Sequence, residues 1–143
     1  MTTTKERTIG DRAMTDDPLE GPWTPDDSVA LYGCDAWGDG YVAIRSDGHL
    51  AMRPKSGDAA EIDLYDVVEG LRARGLSAPL LMRFSDVLHD RLARLHGAFA
   101  EAIADNKYGG GYLTVFPIKV NQQRSVVEEV HRHGAAFGAG LEV

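Results

Sequence analysis

Along the chain, apolar and polar positions fall into blocks of different period. Residues 1–22 carry almost no apolar periodicity, hold Pro18 and Pro22 among charged positions, and read as a disordered or loosely attached tail. From Trp23 to about Pro54, short aromatic and β-branched runs are broken by glycines. Runs 29–32, 40–45 and 49–52 predict short strands. Ser46-Asp47-Gly48 predicts a tight turn between the last two, since glycine supplies the positive φ a hairpin needs. This stretch reads as a small antiparallel β element.

Helical spacing follows. Leu64, Val67, Val68 and Leu71 recur after Asp63, and Gly75 is a stop signal. Residues 79–84 form a short apolar run that predicts a strand. Ser85 is the predicted N-cap of the next helix, with Asp86 in its first turn, where a carboxylate suits the dipole. Leu88, Leu92, Leu95, Phe99 and Ile103 make that helix amphipathic, and it ends before Gly109-Gly110-Gly111. Residues 114–120 predict another strand. Residues 123–133 predict a helix with Val126, Val127 and Val130 on one side and Gly134 as its cap, and residues 137–143 predict the start of a further strand. The alternation from residue 79 onward is the pattern of an α/β fold with parallel strands, either an open doubly wound sheet or a (β/α) barrel. A barrel needs eight strands and about 250 residues, so the chain reads as a fragment.

The 143 residues carry 15 Lys and Arg against 22 Asp and Glu, a net charge of -7. That balance argues against nucleic acid as the main partner, because polyanion binding leans on clustered cations. One cysteine, Cys34, excludes an intramolecular disulfide and a multi-cysteine zinc site, and reads as a small half-buried residue. No apolar run approaches the ~20 residues of a membrane span, and the first residues lack the apolar core of a secretory signal. Cytoplasm and no membrane partner are the expectations.

The chemistry concentrates at Lys119. Strand alternation would put Thr114, Phe116, Ile118 and Val120 on one face and Val115, Pro117 and Lys119 on the other. A lysine at the end of such a strand either snorkels to water or serves as an amine that condenses with a carbonyl. Gly109-Gly110-Gly111 precedes a strand, whereas phosphate-binding glycine loops follow one, so it reads as a flexible connection. His131 and His133 diverge on a helix, His89 and His96 lack completing ligands, and His49 sits beside a turn. No metal site is expected. Glu142 is an acid in an apolar strand, placed either at an exposed end or on the strand beside Lys119, within reach of the same pocket.

The run Val115-Phe116-Pro117-Ile118-Lys119-Val120-Asn121-Gln122 closely resembles the pyridoxal-phosphate lysine motif of biosynthetic arginine decarboxylases, with Phe116 where that family usually has tyrosine. Tyr32-Gly33, Trp37-Gly38-x-Gly40-Tyr41, Gly48-His49, the block from Pro79 to Leu88, and Gly138-Ala139-Gly140-Leu141-Glu142 extend the resemblance over residues 28–143. The family is similar to the alanine-racemase-like, fold-type-III enzymes. The resemblance implies the incomplete N-terminal part of a (β/α)8 TIM barrel preceded by a short antiparallel β segment. It divides the chain into a tail at 1–22, a β segment at 23–60 and the truncated start of a pyridoxal-phosphate barrel at 61–143. It further implies pyridoxal 5'-phosphate held by Lys119 as a Schiff base, with Glu142 helping to orient the cofactor, and magnesium as a second cofactor. The substrate is then L-arginine, decarboxylated to agmatine and CO2 in polyamine and spermidine biosynthesis, by a homo-oligomer of at least two chains. Two alternatives stay open at this point: a truncated non-catalytic remnant or interaction module, and a decarboxylase for another diamino acid such as ornithine or diaminopimelate.

Overall fold

The computed structural model describes residues 22–143. The tail read over 1–22 lies outside the described residues, apart from Pro22. Two helices come first, α1 (Pro25–Tyr32) and α2 (Cys34–Trp37). The strand expected at 29–32 is therefore helix. Thr24 and Asp27 close a reciprocal capping box, Pro25 occupies the first turn, and Gly33 ends the helix at φ +60°. These local signals outweigh the apolar run that suggested a strand.

The next three strands form an antiparallel sheet in the order β1 (Val42–Ile44), β2 (Leu50–Met52), β3 (Ile62–Asp63). Ile44 faces Leu50, so Ser46, Asp47 and Gly48 are a three-residue hairpin loop, with Gly48 at φ +86°. The Gly48 N–H donates to Arg45 O at 2.9 Å, and Arg45 N–H donates to His49 O at 2.9 Å. That is the turn-plus-bulge geometry a glycine at the third position favours. Helix α3 (Leu64–Ala73) begins at Asp63, whose side chain accepts from the Tyr65 and Asp66 amides, and the chain leaves it at Gly75 with φ +82°. Cys34, Tyr41 and Ala51 are buried here, so the cysteine is more enclosed than its composition suggested.

Residues 80–84 belong to no helix and join no ladder among the described residues, and Leu81 is 78% exposed. The expected strand there is a segment without a hydrogen-bonded neighbour. Helix α4 (Ser85–Asp105) has Phe84 at its N-cap with no side-chain cap bond, so Ser85 is the first helical residue rather than the cap. Of the α4 stripe, Leu88, Leu92 and Ile103 are half-buried, while Leu95 and Phe99 are exposed.

A parallel pair follows, β4 (Val115–Pro117) and β5 (Gly140–Glu142), joined through a 3-10 turn (Ile118–Val120), helix α5 (Arg124–Gly134) and a second 3-10 turn (Ala135–Phe137). This is one β-α-β unit. Val126 and Val127 are half-buried and Val130 is buried, as their helical spacing requires. Gly134 is the last helical residue, not the αL cap; that conformation falls at Gly138, φ +68°. Gly134 is needed for a different reason, because a Cβ there would lie 2.7 Å from the Ala139 Cβ. Helix α4 packs on α5. An aromatic stack ties α4 to the approaches of both strands: His96 lies on Phe137 at 4.6 Å, and Phe99 lies on Tyr112 at 3.7 Å. Among the described residues, no helix is long and apolar enough to cross a membrane.

Candidate active site

Lys119 belongs to the 3-10 turn just beyond β4, not to the strand itself. The strict alternation expected through Val120 therefore stops at Pro117. Proline has no N–H to give a ladder, and the chain coils immediately after it. Asn121 closes the turn: its side-chain oxygen accepts from the Gln123 amide at 3.1 Å, an Asx turn that redirects the chain into α5. The amide-rich run after the lysine thus has a structural use.

The parallel register sets Pro117 opposite Glu142, which brings the acid to the C-terminal end of its neighbour strand. Lys119 Nζ donates to Glu142 Oε1 at 2.7 Å across 23 residues of sequence. The side chains are 70% and 51% exposed, so this contact is worth little as a stabilising ion pair. Its consequence is positional. It holds a primary amine at the carboxyl edge of a parallel pair, the edge where α/β folds gather their chemistry. Glu142 satisfies part of each alternative, since it stands beside Lys119 and its side chain is 51% exposed.

The first turns of α4 and α5 border a groove of about 500 Å³. Arg83, Phe84 and Leu88 line it from one side, Ser125 and Val126 from the other. Lys119 and Glu142 are not among its lining residues.

The histidines sort by structure rather than by spacing. His133 pairs with Glu129 at 2.9 Å and stacks on His89 at 4.4 Å, while His96 joins the aromatic stack with its Nε2 buried and unpartnered. His49 meets Asp47 and Asp63, with ligand-capable atoms of all three within 4.8 Å. Arg45 stands among them, 3.1 Å from Asp47 and 3.5 Å from Asp63. Asp63 also caps α3, so both its oxygens are committed. Sequence spacing of 14 residues gave no hint of this cluster.

The hydrogen bond to Asp63 raises the His49 pKa above the ordinary 6.5, and the same bond lowers that of Asp63 below 3.8. A raised histidine contributes stability that is fully present below its unfolded value and is lost as pH rises through the folded one. A depressed carboxylate contributes above its unfolded value and loses it as pH falls. The pair is therefore strongest between 3.8 and 6.5. An NMR titration should show His49 above 6.5, and Asp63→Asn should bring it down; an unchanged midpoint in the variant would refute the pairing.

No protein-family model matches the chain. It is 51% identical over 120 residues to the biosynthetic arginine decarboxylase of Synechococcus sp. (strain RCC307), covering 84% of this chain and 19% of that protein. It is 49% identical over 120 residues to the namesake from Gloeobacter violaceus, again covering 84% and 19%. The chain is related to the biosynthetic arginine decarboxylases. The crystal structure of the biosynthetic arginine decarboxylase SpeA from Campylobacter jejuni superposes with a TM-score of 0.68 at 31% identity, over 77% of this chain and 18% of that one. The chain spans about a fifth of the length of the arginine decarboxylases it matches.

Proposed function

We propose that this chain is the N-terminal part of a pyridoxal-phosphate-dependent decarboxylase that converts L-arginine to agmatine and CO2, with Lys119 as the covalent anchor of the cofactor. The observation that carries the reading is the Lys119 amine, accessible at the carboxyl end of β4 and held 2.7 Å from Glu142. The similarity to arginine decarboxylases supports the substrate assignment.

The residues present fit the cofactor's aldehyde. They offer a reachable primary amine on a fixed turn, with a carboxylate beside it to orient the nitrogen. Bound there, pyridoxal phosphate would supply the electron sink for the charge left when the carboxylate departs. The chain's own contributions are to hold the cofactor through Lys119 Nζ, to aim that nitrogen through Glu142, and to fix the turn through Asn121. In the net reaction the bond from the α carbon to the carboxylate breaks, and the α carbon takes up a proton.

Magnesium finds no fitting set of ligands among the described residues. The Asp47, His49 and Asp63 cluster is the group of three ligating side chains that converges among the described residues, and Arg45 and the α3 amides already occupy its carboxylates. A hard cation that prefers six oxygen ligands finds no such set here.

On the same reading, residues 23–60, which hold α1, α2, β1 and β2 rather than strands alone, lie ahead of a (β/α)8 barrel that begins within 61–143. The complete protein works in the cytoplasm as a homo-oligomer, and its product feeds polyamine synthesis. The test is to express the longest protein that contains this segment and assay it with L-arginine, L-ornithine and diaminopimelate in parallel. Release of CO2 and agmatine from arginine, at least about tenfold faster than from the others, is expected; a preference for another diamino acid would overturn the substrate assignment.

A further inference from the structure

Two bodies meet along α4 in an unusual way. The first comprises α1, α2, the antiparallel sheet and α3; the second comprises α4, α5 and the parallel pair. Each has its own buried residues, Cys34, Tyr41 and Ala51 in one and Val130 in the other. The hydrogen bonds and ion pairs that join them run from Asp39, Tyr41 and Ser56 to Asp90, Arg91 and Arg94.

The geometry of that junction is polar at its centre. The Tyr41 hydroxyl donates to Asp90 Oδ2 at 2.7 Å and accepts from Arg94 at 3.2 Å. The Ser56 amide also donates to Asp90, at 3.4 Å. Asp39 accepts from both Arg91 and Arg94. Both guanidinium groups lie about 6 Å from the Tyr41 ring centroid. Beside this cluster a cavity of about 300 Å³ separates Pro54 and Lys55 from Asp86, His89 and Ala93. The bonds that join the two bodies are polar, and water can replace most of them. The ion pairs of this interface are about half exposed, which makes them sensitive to screening. The one deeply enclosed member is Tyr41, 5% exposed.

We propose that residues 22–73 form a module latched to α4 by the Asp39, Tyr41, Asp90, Arg91 and Arg94 cluster, and that ionic strength opens this latch without unfolding either body. The latch is a conformational device outside the lysine site, and it stands or falls independently of the decarboxylase reading. The segment from Arg74 to Phe84 supplies the hinge, since it joins no ladder among the described residues.

Spin labels at Ser46→Cys on the hairpin loop and Glu101→Cys on α4, in a Cys34→Ala background of the 143-residue chain, measure the separation directly. At low ionic strength one narrow distance distribution is expected. It should broaden at about 1 M salt, where the screening length falls to ~3 Å, and should broaden at low salt in Asp39→Ala/Tyr41→Phe. Far-UV circular dichroism should stay unchanged throughout. A broad distribution already present at low salt, or one unmoved by salt, would overturn the proposal. So would equal broadening by Glu69→Gln, which removes an ion pair within α3 only. Should the double variant fail to fold, the salt series on the labelled parent still decides.

Discussion

Lys119→Ala, made in the longest protein that contains this segment, is expected to abolish decarboxylation. A loss on the order of 10^3-fold or more is the scale on which removal of a covalent nucleophile acts. Lysine is the only side chain of the β4–β5 edge that offers a primary amine, and its neighbours do not replace it. Glu142 can orient that nitrogen but cannot substitute for it, and Asn121 is occupied in closing the turn. A second readout does not depend on turnover. Borohydride reduction should fix the cofactor on the peptide that carries Lys119, and the alanine variant should yield no labelled peptide. Full activity or a labelled peptide elsewhere in the variant would remove Lys119 from the site. Glu142→Gln should act more mildly, because it weakens the aim of the nitrogen and leaves the amine in place.

Gly134→Val should destabilise the β-α-β unit by about 1–3 kcal/mol, the usual cost of overpacking a filled interior. The position is buried, and a Cβ there would stand 2.7 Å from the Ala139 Cβ. Neither partner can swing aside, since a Cβ moves only with its backbone. The strain therefore falls on the turn from α5 into β5, where the Ala139 amide donates to Gly134 O at 3.0 Å and the Gly140 amide donates to Thr114 O at 2.8 Å. β5 is what carries Glu142 to Lys119, so the same substitution should also loosen that contact. Amide exchange at Gly140 is the measurement; an increase of roughly 10- to 100-fold corresponds to 1.4–2.8 kcal/mol. Gly134→Ala with Ala139→Gly should recover much of the loss, because the added carbon is matched by the one removed. If the pair is no better than Gly134→Val, close packing against Ala139 is not the reason for this glycine.

Several elements were legible in the amino-acid sequence because their signals are local. α3 carries its apolar residues at helical spacing behind an aspartate cap, and α5 carries three valines at helical spacing. The β1–β2 hairpin is announced by Asp47-Gly48. The strand expected at 29–32 failed for an equally local reason: Thr24, Pro25 and Asp27 form a helix start, and that pattern takes precedence over a four-residue apolar run. Residues 80–84 are a different case. An apolar run can lack a ladder, since a strand requires a neighbour that its own residues do not specify. The lysine turn shows the same limit. Pro117 marks where pairing stops, but the coil that follows depends on Asn121 reaching the Gln123 amide.

The sequence by itself determined α3, α4, α5 and the hairpin, and it singled out Lys119 as the candidate amine through a family resemblance. These rest on spacing within a few residues, where backbone geometry alone settles the outcome. Only the tertiary structure decided which distant groups meet. Glu142 reaches Lys119 because a parallel register, set by α5 packing, places it opposite Pro117. Tyr41 reaches Asp90, and Asp39 reaches Arg91 and Arg94, over 49 to 55 residues. No periodicity encodes such contacts, because they depend on how whole elements pack.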